Sequence, residues 1–127
     1  MTKHTIFVCK SCAYSSTQRE LFGQLGGQHL IDQLRHLQPA WDLTAEYSIE
    51  AVECLSACNR RCVVAYAAPH KTTLMFGDLL PLQSATSVLE LARLYHASSS
   101  GLIPRAERPE ILRKGILARI PPLTNFI

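Results

Sequence analysis

The amino-acid sequence predicts an α/β (α+β) fold in which helices pack on a four-stranded mixed sheet. Short β-branched runs alternate with segments of helical periodicity, in the order strand, helix, strand, hairpin, helix and tail. With 127 residues, of which 47% are hydrophobic and 18% charged, the chain can bury a sizeable core without disulfides. No apolar run is long enough to cross a bilayer, so we expect no membrane association.

The first predicted strand leads into the first pair of cysteines. Residues Thr5–Val8 are β-branched or aromatic and predict a strand that ends at Cys9. The polar segment Cys12–Gly27 contains three glycines and predicts a loop, within which Arg19–Leu25 can form one helical turn. Cys9 and Cys12 therefore form a C-x2-C pair at the end of a strand.

A helix and a second strand follow this loop. Gly27 opens the predicted helix and Pro39 ends it, because proline cannot continue the backbone hydrogen bonds. The apolar face of this helix recurs every three or four residues and comprises Leu30, Ile31, Leu34 and Leu37. Residues Ala45–Glu53 alternate and predict a strand that runs directly into Cys54.

The middle of the chain predicts a hairpin and a second helix. Cys62–Ala68 and Thr72–Phe76 are both apolar and β-branched, and the turn residues 68–71 join them into a hairpin. Ser84 or Thr86 can cap the helix that follows, since a hydroxyl can accept from the first backbone amides. One face of that helix carries Val88, Leu91, Ala92 and Tyr95.

Residues 99–127 form a basic, proline-rich tail that we assign to the same domain as residues 1–98. Within the tail, Pro109–Ala118 is helix-compatible. From Ser98 onward there are five cations and two glutamates, so this part holds the whole net charge of +3. The charge is too small to predict nucleic-acid binding, but it can steer an acidic partner. The tail also carries apolar residues that can form a homodimer interface, namely Ile111, Leu112, Ile116, Leu117 and Ile120.

The five cysteines organise the chain. Cys9 and Cys12 are followed much later by Cys54, Cys58 and Cys62, in the spacing C-x3-C-x3-C. The strand–helix–strand unit implies parallel strands, as in a thioredoxin-like arrangement, whose carboxyl ends meet at one sheet edge. We therefore expect the first four cysteines to converge. No cleavable signal segment is evident, so we expect a reducing cytoplasm, where clustered cysteines serve as metal ligands or redox thiols.

Three kinds of thiol site remain open from the residues alone. Four thiolates bind a [2Fe–2S] cluster where the backbone can approach it, and the small residues Ser56 and Ala57 favour that approach. The same thiolates can hold tetrahedral zinc, although zinc ligand pairs usually lie closer together in sequence. Cys9 and Cys12 alone can form a thiol–disulfide pair. Basic residues flank these cysteines and would offset the charge of a reduced cluster: Lys10, Arg60 and Arg61.

Several motifs together resemble a known family. They are Glu53–Cys58, Arg61–Ala65, Gly77–Leu79, Tyr95–Ser98, Arg108–Pro109 and Ala118–Pro122. This pattern resembles a family of small bacterial predicted metal-binding proteins, which is similar to the thioredoxin-like [2Fe–2S] ferredoxins and is often encoded beside cobalamin-synthesis genes. The resemblance covers nearly the whole chain. It implies a thioredoxin-like fold that carries one [2Fe–2S] cluster.

The resemblance also implies a ligand set and a function. Ferredoxins of this kind use two N-terminal cysteines and a later C-x3-C pair, which correspond to Cys9, Cys12, Cys54 and Cys58. The N-terminal pair is closer together here, and Cys62 is available in place of Cys58 or Cys12. We therefore expect a cytoplasmic one-electron carrier rather than an enzyme, with redox proteins of cobalamin or cobalt metabolism as partners. A non-redox zinc module or metal carrier is the alternative, and a thiol–disulfide oxidoreductase is third.

Overall fold

A computed structural model describes residues 4–123, apart from the side chain of Cys58. Its main elements follow one another as β1 (His4–Cys9), β2 (Glu20–Leu21), β3 (Gln24–Leu25), α1 (Gly26–Leu37), β4 (Tyr47–Val52), β5 (Val64–Ala67), β6 (Thr73–Phe76), α2 (Ala85–Ala97) and β7 (Ile116–Ile120). The larger sheet has the order β4-β1-β5-β6-β7, so the predicted mixed architecture is confirmed. Within residues 4–123, no helix has the length and apolar character needed to span a membrane.

The parallel strands β1 and β4 position the cysteines. Their register pairs His4 with Tyr47 and Cys9 with Val52, so the two strands end at the same edge of the sheet. On its other side β1 pairs antiparallel with β5, whose first residue therefore lies at that edge as well. The predicted convergence of the two strand ends is confirmed. The sheet also brings the chain that enters β5, directly after Cys62, to the same place.

The two helices contact each other and enclose the core together with the sheet. Two buried tyrosines tie the sheet to α2. The Tyr47 hydroxyl donates to the carbonyl of Ala92 at 2.6 Å, and the Tyr66 hydroxyl donates to the carbonyl of Val88 at 2.8 Å. The core side chains of the helices are Leu30, Ile31 and Leu34 of α1, and Val88, Leu91, Ala92 and Tyr95 of α2.

Residues Arg19–Leu25 form a short hairpin instead of the predicted helical turn. Phe22 and Gly23 connect β2 to β3, with φ angles of 52° and 79°. A two-residue connection between antiparallel strands favours positive φ at both positions, which a right-handed helical turn excludes. The helix prediction was wrong because this geometry is set by two residues, and a phenylalanine at positive φ gives little signal in a sequence.

The tail adds a fifth strand to the sheet, where four were predicted. Within Pro109–Ala118 the chain forms one 3-10 turn at Glu110–Leu112 and then reverses at Gly115, whose φ is 80°. The strand β7 then pairs antiparallel with β6. This helix-compatible segment forms no α-helix, because a positive φ interrupts a helix and the edge of β6 offers backbone hydrogen-bond partners.

Most apolar residues of the tail pack on their own domain. Leu112 is fully buried, and Ile111, Ile116 and Leu117 lie against the core. Ile120 is 55% exposed. A homodimer interface through these five residues stays a prediction, and Ile120 is the member that offers the most surface to a partner.

Candidate metal centre

The C-x2-C loop is held on both sides by backbone hydrogen bonds. Beside β5, the Cys9 amide donates to the carbonyl of Val63 at 3.1 Å, and beside β4 the Lys10 amide donates to the carbonyl of Val52 at 2.9 Å. At the other end of the loop, the Gly27 amide donates to the Cys12 carbonyl at 3.0 Å. Cys9 is 1% exposed and Cys12 is fully buried. The loop is therefore fixed by the fold itself.

Two glycines allow α1 to begin directly against this loop. A β-carbon at Gly27 would lie 2.0 Å from the Cys9 carbonyl oxygen, and one at Gly26 would lie 2.5 Å from that of Ala13. No other residue can approach a backbone so closely. The sequence Gly26-Gly27 therefore sets the position of the helix relative to both cysteines, a role that the helical periodicity alone did not indicate.

Cys54 lies on an exposed loop after β4. Ser56 has a φ of 59°, and its amide donates to Cys54 Sγ at 3.1 Å. The backbone amide of the intervening Leu55 interacts with the Cys9 thiol and favours its thiolate form. The backbone that follows Cys54 thus lies beside Cys9, and the convergence of the Cys54 thiol with the first cysteine pair stays a prediction. A 3-10 turn begins at Cys58, whose side chain lies outside the described part of the structure.

Cys62 lies beside the first cysteine pair and is fully buried. Its thiol contacts the thiol of Cys12 and donates a long, 4.0 Å hydrogen bond to the carbonyl of Ala13. Reciprocal backbone hydrogen bonds with Leu79, of 2.9 and 3.2 Å, hold it in place. The structure therefore groups Cys9, Cys12 and Cys62 in the interior, a grouping that the spacing of the cysteines did not predict.

The surroundings of the buried thiols oppose their ionisation in the metal-free chain. Burial is the main cause that raises the pKa of Cys9. The neighbouring thiol of Cys62, and then burial, raise the pKa of Cys12 well above its ordinary value. Two adjacent thiolates repel each other in a medium of low dielectric, whereas a bound cation would compensate both charges. These thiols are therefore neutral at physiological pH unless a cation replaces their protons.

Backbone amides distinguish three of the predicted ligands, Cys9, Cys12 and Cys54, from Cys62. The amides of Leu55, Val63 and Ser56 act on the sulfurs of Cys9, Cys12 and Cys54 respectively, and for the first two they favour the thiolate. The thiol of Cys62 instead donates to a carbonyl. Amide donors suit a sulfur that carries negative charge, as metal-bound cysteine does. A carbonyl acceptor suits a sulfur that keeps its proton.

The basic residues that flank the cysteines differ in their pairing. Lys10 Nζ lies 2.8 Å from Glu53 Oε1, and Arg60 Nη2 lies 2.5 Å from Asp78 Oδ2. These two charges are therefore largely balanced by exposed carboxylates. The Nε atom of Arg61, next to Cys62 in the chain, is buried and has no hydrogen-bond partner among the described residues. Such an orphaned donor is consistent with an anionic group near this end of the sheet.

The described residues bring thiols together but do not by themselves form a metal site. Among the side chains of residues 4–123, which leave out Cys58, no group of three or more His, Cys, Asp or Glu is arranged to hold a metal ion. The donors themselves fit a soft metal or an iron–sulfur cluster, because thiols from two distant segments meet and amides act on three of the sulfurs. The assignment of Cys9, Cys12, Cys54 and Cys58 as ligands stays a prediction.

Comparisons with known proteins are consistent with this architecture. The sequence profile of a family described as "Protein of unknown function (DUF1636)" matches residues 6–122. The chain has no significant match among curated proteins. Among solved structures, it is similar to a thioredoxin-like [2Fe–2S] ferredoxin from Aquifex aeolicus, with a TM-score of 0.58 and 14% identity over 99% of this chain and 100% of the other. The thioredoxin-like fold is therefore confirmed, and at this identity the similarity establishes the fold alone.

Proposed function

We propose that this chain, which belongs to the DUF1636 family of unknown function, is a one-electron carrier that binds one [2Fe–2S] cluster. The proposed ligands are Cys9, Cys12, Cys54 and Cys58. Bound there, such a cluster would supply reversible one-electron transfer without substrate chemistry. Its metal-binding part would consist of a fixed pair after β1 and a second pair after β4.

One observation carries the proposal, which is the different hydrogen bonding of the four cysteine sulfurs that the structure describes. The backbone acts as a donor toward Cys9, Cys12 and Cys54, whereas Cys62 acts as a donor toward the backbone. Donors aimed at sulfur stabilise negative charge on it, and the charge on the sulfurs increases when a cluster is reduced. The similarity in fold to a [2Fe–2S] ferredoxin supports the same reading.

The direct test is the metal content of the protein. Anaerobically purified chain should be red-brown and contain two irons and two acid-labile sulfides per chain, as the cluster formula requires. Reduction should produce an electron paramagnetic resonance signal from a single unpaired electron. Colourless protein that contains one tightly bound zinc would contradict the electron-carrier proposal.

Substitution of two cysteines tests the ligand assignment. We expect Cys54→Ser to abolish retention of the cluster, because a proposed ligand is lost, and Cys62→Ser to retain it, because the Cys62 thiol donates to a backbone carbonyl and is not a proposed ligand. Iron and sulfide analysis of both variants measures the difference. A cluster that survives in Cys54→Ser, or is lost in Cys62→Ser when the variant is still folded by circular dichroism, would overturn the assignment.

A non-redox zinc site or metal carrier is the second candidate. The close spacing of Cys9 and Cys12 favours it, since C-x2-C pairs commonly hold one tetrahedral zinc. Thiolate ligands suit both metals, so the number of metal ions and the presence of sulfide decide between them.

A thiol–disulfide oxidoreductase fits the structure less well. Such enzymes need an accessible thiolate with a lowered pKa, whereas Cys9 and Cys12 are buried and their pKa values are raised. Insulin reduction that depends on either cysteine would revive this candidate.

We further propose a redox protein as the physiological partner, in the cytoplasm. The resemblance noted in the sequence suggests cobalamin or cobalt metabolism as the setting. A pull-down from cells grown with and without cobalt would identify the partner. A partner unrelated to cobalamin and cobalt metabolism would contradict this assignment.

A further inference from the structure

A second candidate site involves the tail, and none of its residues belongs to the candidate metal centre. A cavity of about 320 Å³ is bounded by the apolar side chains of Leu74 and Ile116 and by three arginines. Those arginines are Arg105, Arg108 and Arg119. They come from separate parts of the tail. Arg105 and Arg108 precede the 3-10 turn at Glu110–Leu112, and Arg119 lies on β7 opposite Leu74.

The middle arginine is fixed in place. Arg108 donates from Nε to the Ile103 carbonyl at 3.2 Å and from Nη1 to the carbonyls of Leu112 and Arg113, both at 3.3 Å. Its guanidinium also lies over the ring of Phe76, 5.7 Å from the centroid. Because the partners in these contacts are neutral, the positive charge of Arg108 is held in place without a negative charge beside it.

The three positive charges lack a carboxylate partner. Within residues 4–123, none of Arg105, Arg108 and Arg119 forms an ion pair, although two glutamates lie in the same segment. Burial, and then the charges of the other two arginines, lower the pKa of Arg108. Like charges held together around an apolar surface are destabilising unless an anion joins them. The three charges are therefore available to an anion that enters the cavity.

The size and lining of the cavity define the ligand. Its volume is at the lower end of the range for small-molecule sites, and guanidinium groups match the geometry of phosphate and carboxylate oxygens. The side chains of Leu74, Ile103 and Ile116 add an apolar surface beside the charges. We propose that this cavity binds a small organic oxyanion that combines a phosphate or carboxylate group with an apolar portion.

An NMR titration of the full-length chain tests the proposal. Phenyl phosphate and benzoate serve as probes at constant, low ionic strength, with inorganic phosphate as the probe that lacks an apolar portion. We expect saturable amide shifts confined to residues around Leu74, Ile103 and Ile116, and tighter binding of phenyl phosphate than of inorganic phosphate. Whether phenyl phosphate or benzoate binds more tightly assigns the headgroup.

Charge substitutions separate the cavity from general attraction to the basic tail. Arg105→Gln and Arg119→Gln should each weaken binding about tenfold, as expected for loss of a charged hydrogen bond. Lys114→Gln is the matched control, because Lys114 belongs to the same tail but does not line this cavity. Circular dichroism would verify that the variants are folded.

Three results would overturn the proposal. The first is the absence of saturable shifts with every probe. The second is equal weakening by Lys114→Gln and Arg119→Gln, which indicates attraction to the tail as a whole. The third is arginine-dependent binding of hexaglutamate without binding of phenyl phosphate or benzoate, which would indicate an acidic protein as the partner.

Discussion

The two segments that bring cysteines to the sheet edge are built differently. The loop from Cys9 to Cys12 buries both cysteines, is bonded to the chain on both sides of β1 and packs against the glycines that start α1. The segment that carries Cys54 is exposed, follows the edge strand β4 and turns through a positive φ at Ser56. It contacts the first loop through the amide of Leu55 and through the ion pair of Glu53 with Lys10.

This difference indicates that the two cysteine-bearing segments have different roles in the proposed site. The first loop is preorganised, so its cysteines lose little conformational entropy when a metal binds. The second segment makes fewer contacts and can adjust, so metal binding would order it. Substitutions in the first loop should therefore affect folding, and substitutions in the second should affect metal retention alone.

The largest expected effect comes from Gly27→Ala. The new methyl group would overlap the Cys9 carbonyl, so either α1 or the loop must move, at a cost of about 3 kcal/mol or more in the free energy of unfolding. Urea denaturation of the metal-free protein measures this cost. Gly23→Ala is the control: its β-carbon would meet no atom within 4 Å, and its φ of 79° should cost about 1 kcal/mol. Equal losses in the two variants would contradict a preorganised loop.

A smaller effect should separate Cys12→Ser from Cys54→Ser in the metal-free protein. A serine at position 12 buries a more polar hydroxyl, which should destabilise the fold by about 1–2 kcal/mol. The exposed position 54 should tolerate serine within about 0.5 kcal/mol. Both variants should nevertheless fail to retain the cluster. If Cys54→Ser unfolds the chain as readily as Cys12→Ser, the two segments are equally structural.

The smallest effect concerns the pH dependence of stability in the metal-free protein. The pKa of Cys12 is raised in the folded chain, so above the ordinary thiol value of 9.0 the unfolded chain loses its proton first. Stability should therefore be constant below that pH and fall above it, by about 1.4 kcal/mol per pH unit for each such thiol. Chemical denaturation at several pH values measures the slope, which Cys12→Ser should reduce. Buried tyrosines contribute equally to the slope in the unsubstituted chain and in Cys12→Ser. An unchanged slope in the variant would therefore contradict a raised pKa of Cys12 in the folded chain.

The sequence predicted the parts of this site that depend on regular structure. Alternation before Cys54 and the β-branched run before Cys9 were sufficient to place both cysteines at one edge, because parallel strands must end together. The position of Cys62 beside Cys12 could not be predicted, since it depends on β5 pairing antiparallel with β1, a contact that leaves no periodic signal near Cys62. The contacts of the Leu55 and Val63 amides could not be predicted either, because every residue except proline carries the same backbone donor.

The tail shows the same limit on a larger scale. Residues Pro109–Ala118 are compatible with a helix, and their local sequence cannot reveal that β6 has an open edge. The turn at Gly115 decides the outcome, and a single glycine in a sequence permits a reversal without requiring one. Pairing with a distant strand therefore overrode the local pattern.

The fifth strand also has a consequence for how the chain must be handled. β7 occupies the outer edge of β6, and it is the last element of the described chain. A chain truncated before β7 would leave a row of unpaired backbone groups on β6, together with the apolar surface that Ile116 and Leu117 cover. Such a fragment should exchange strands between copies or aggregate.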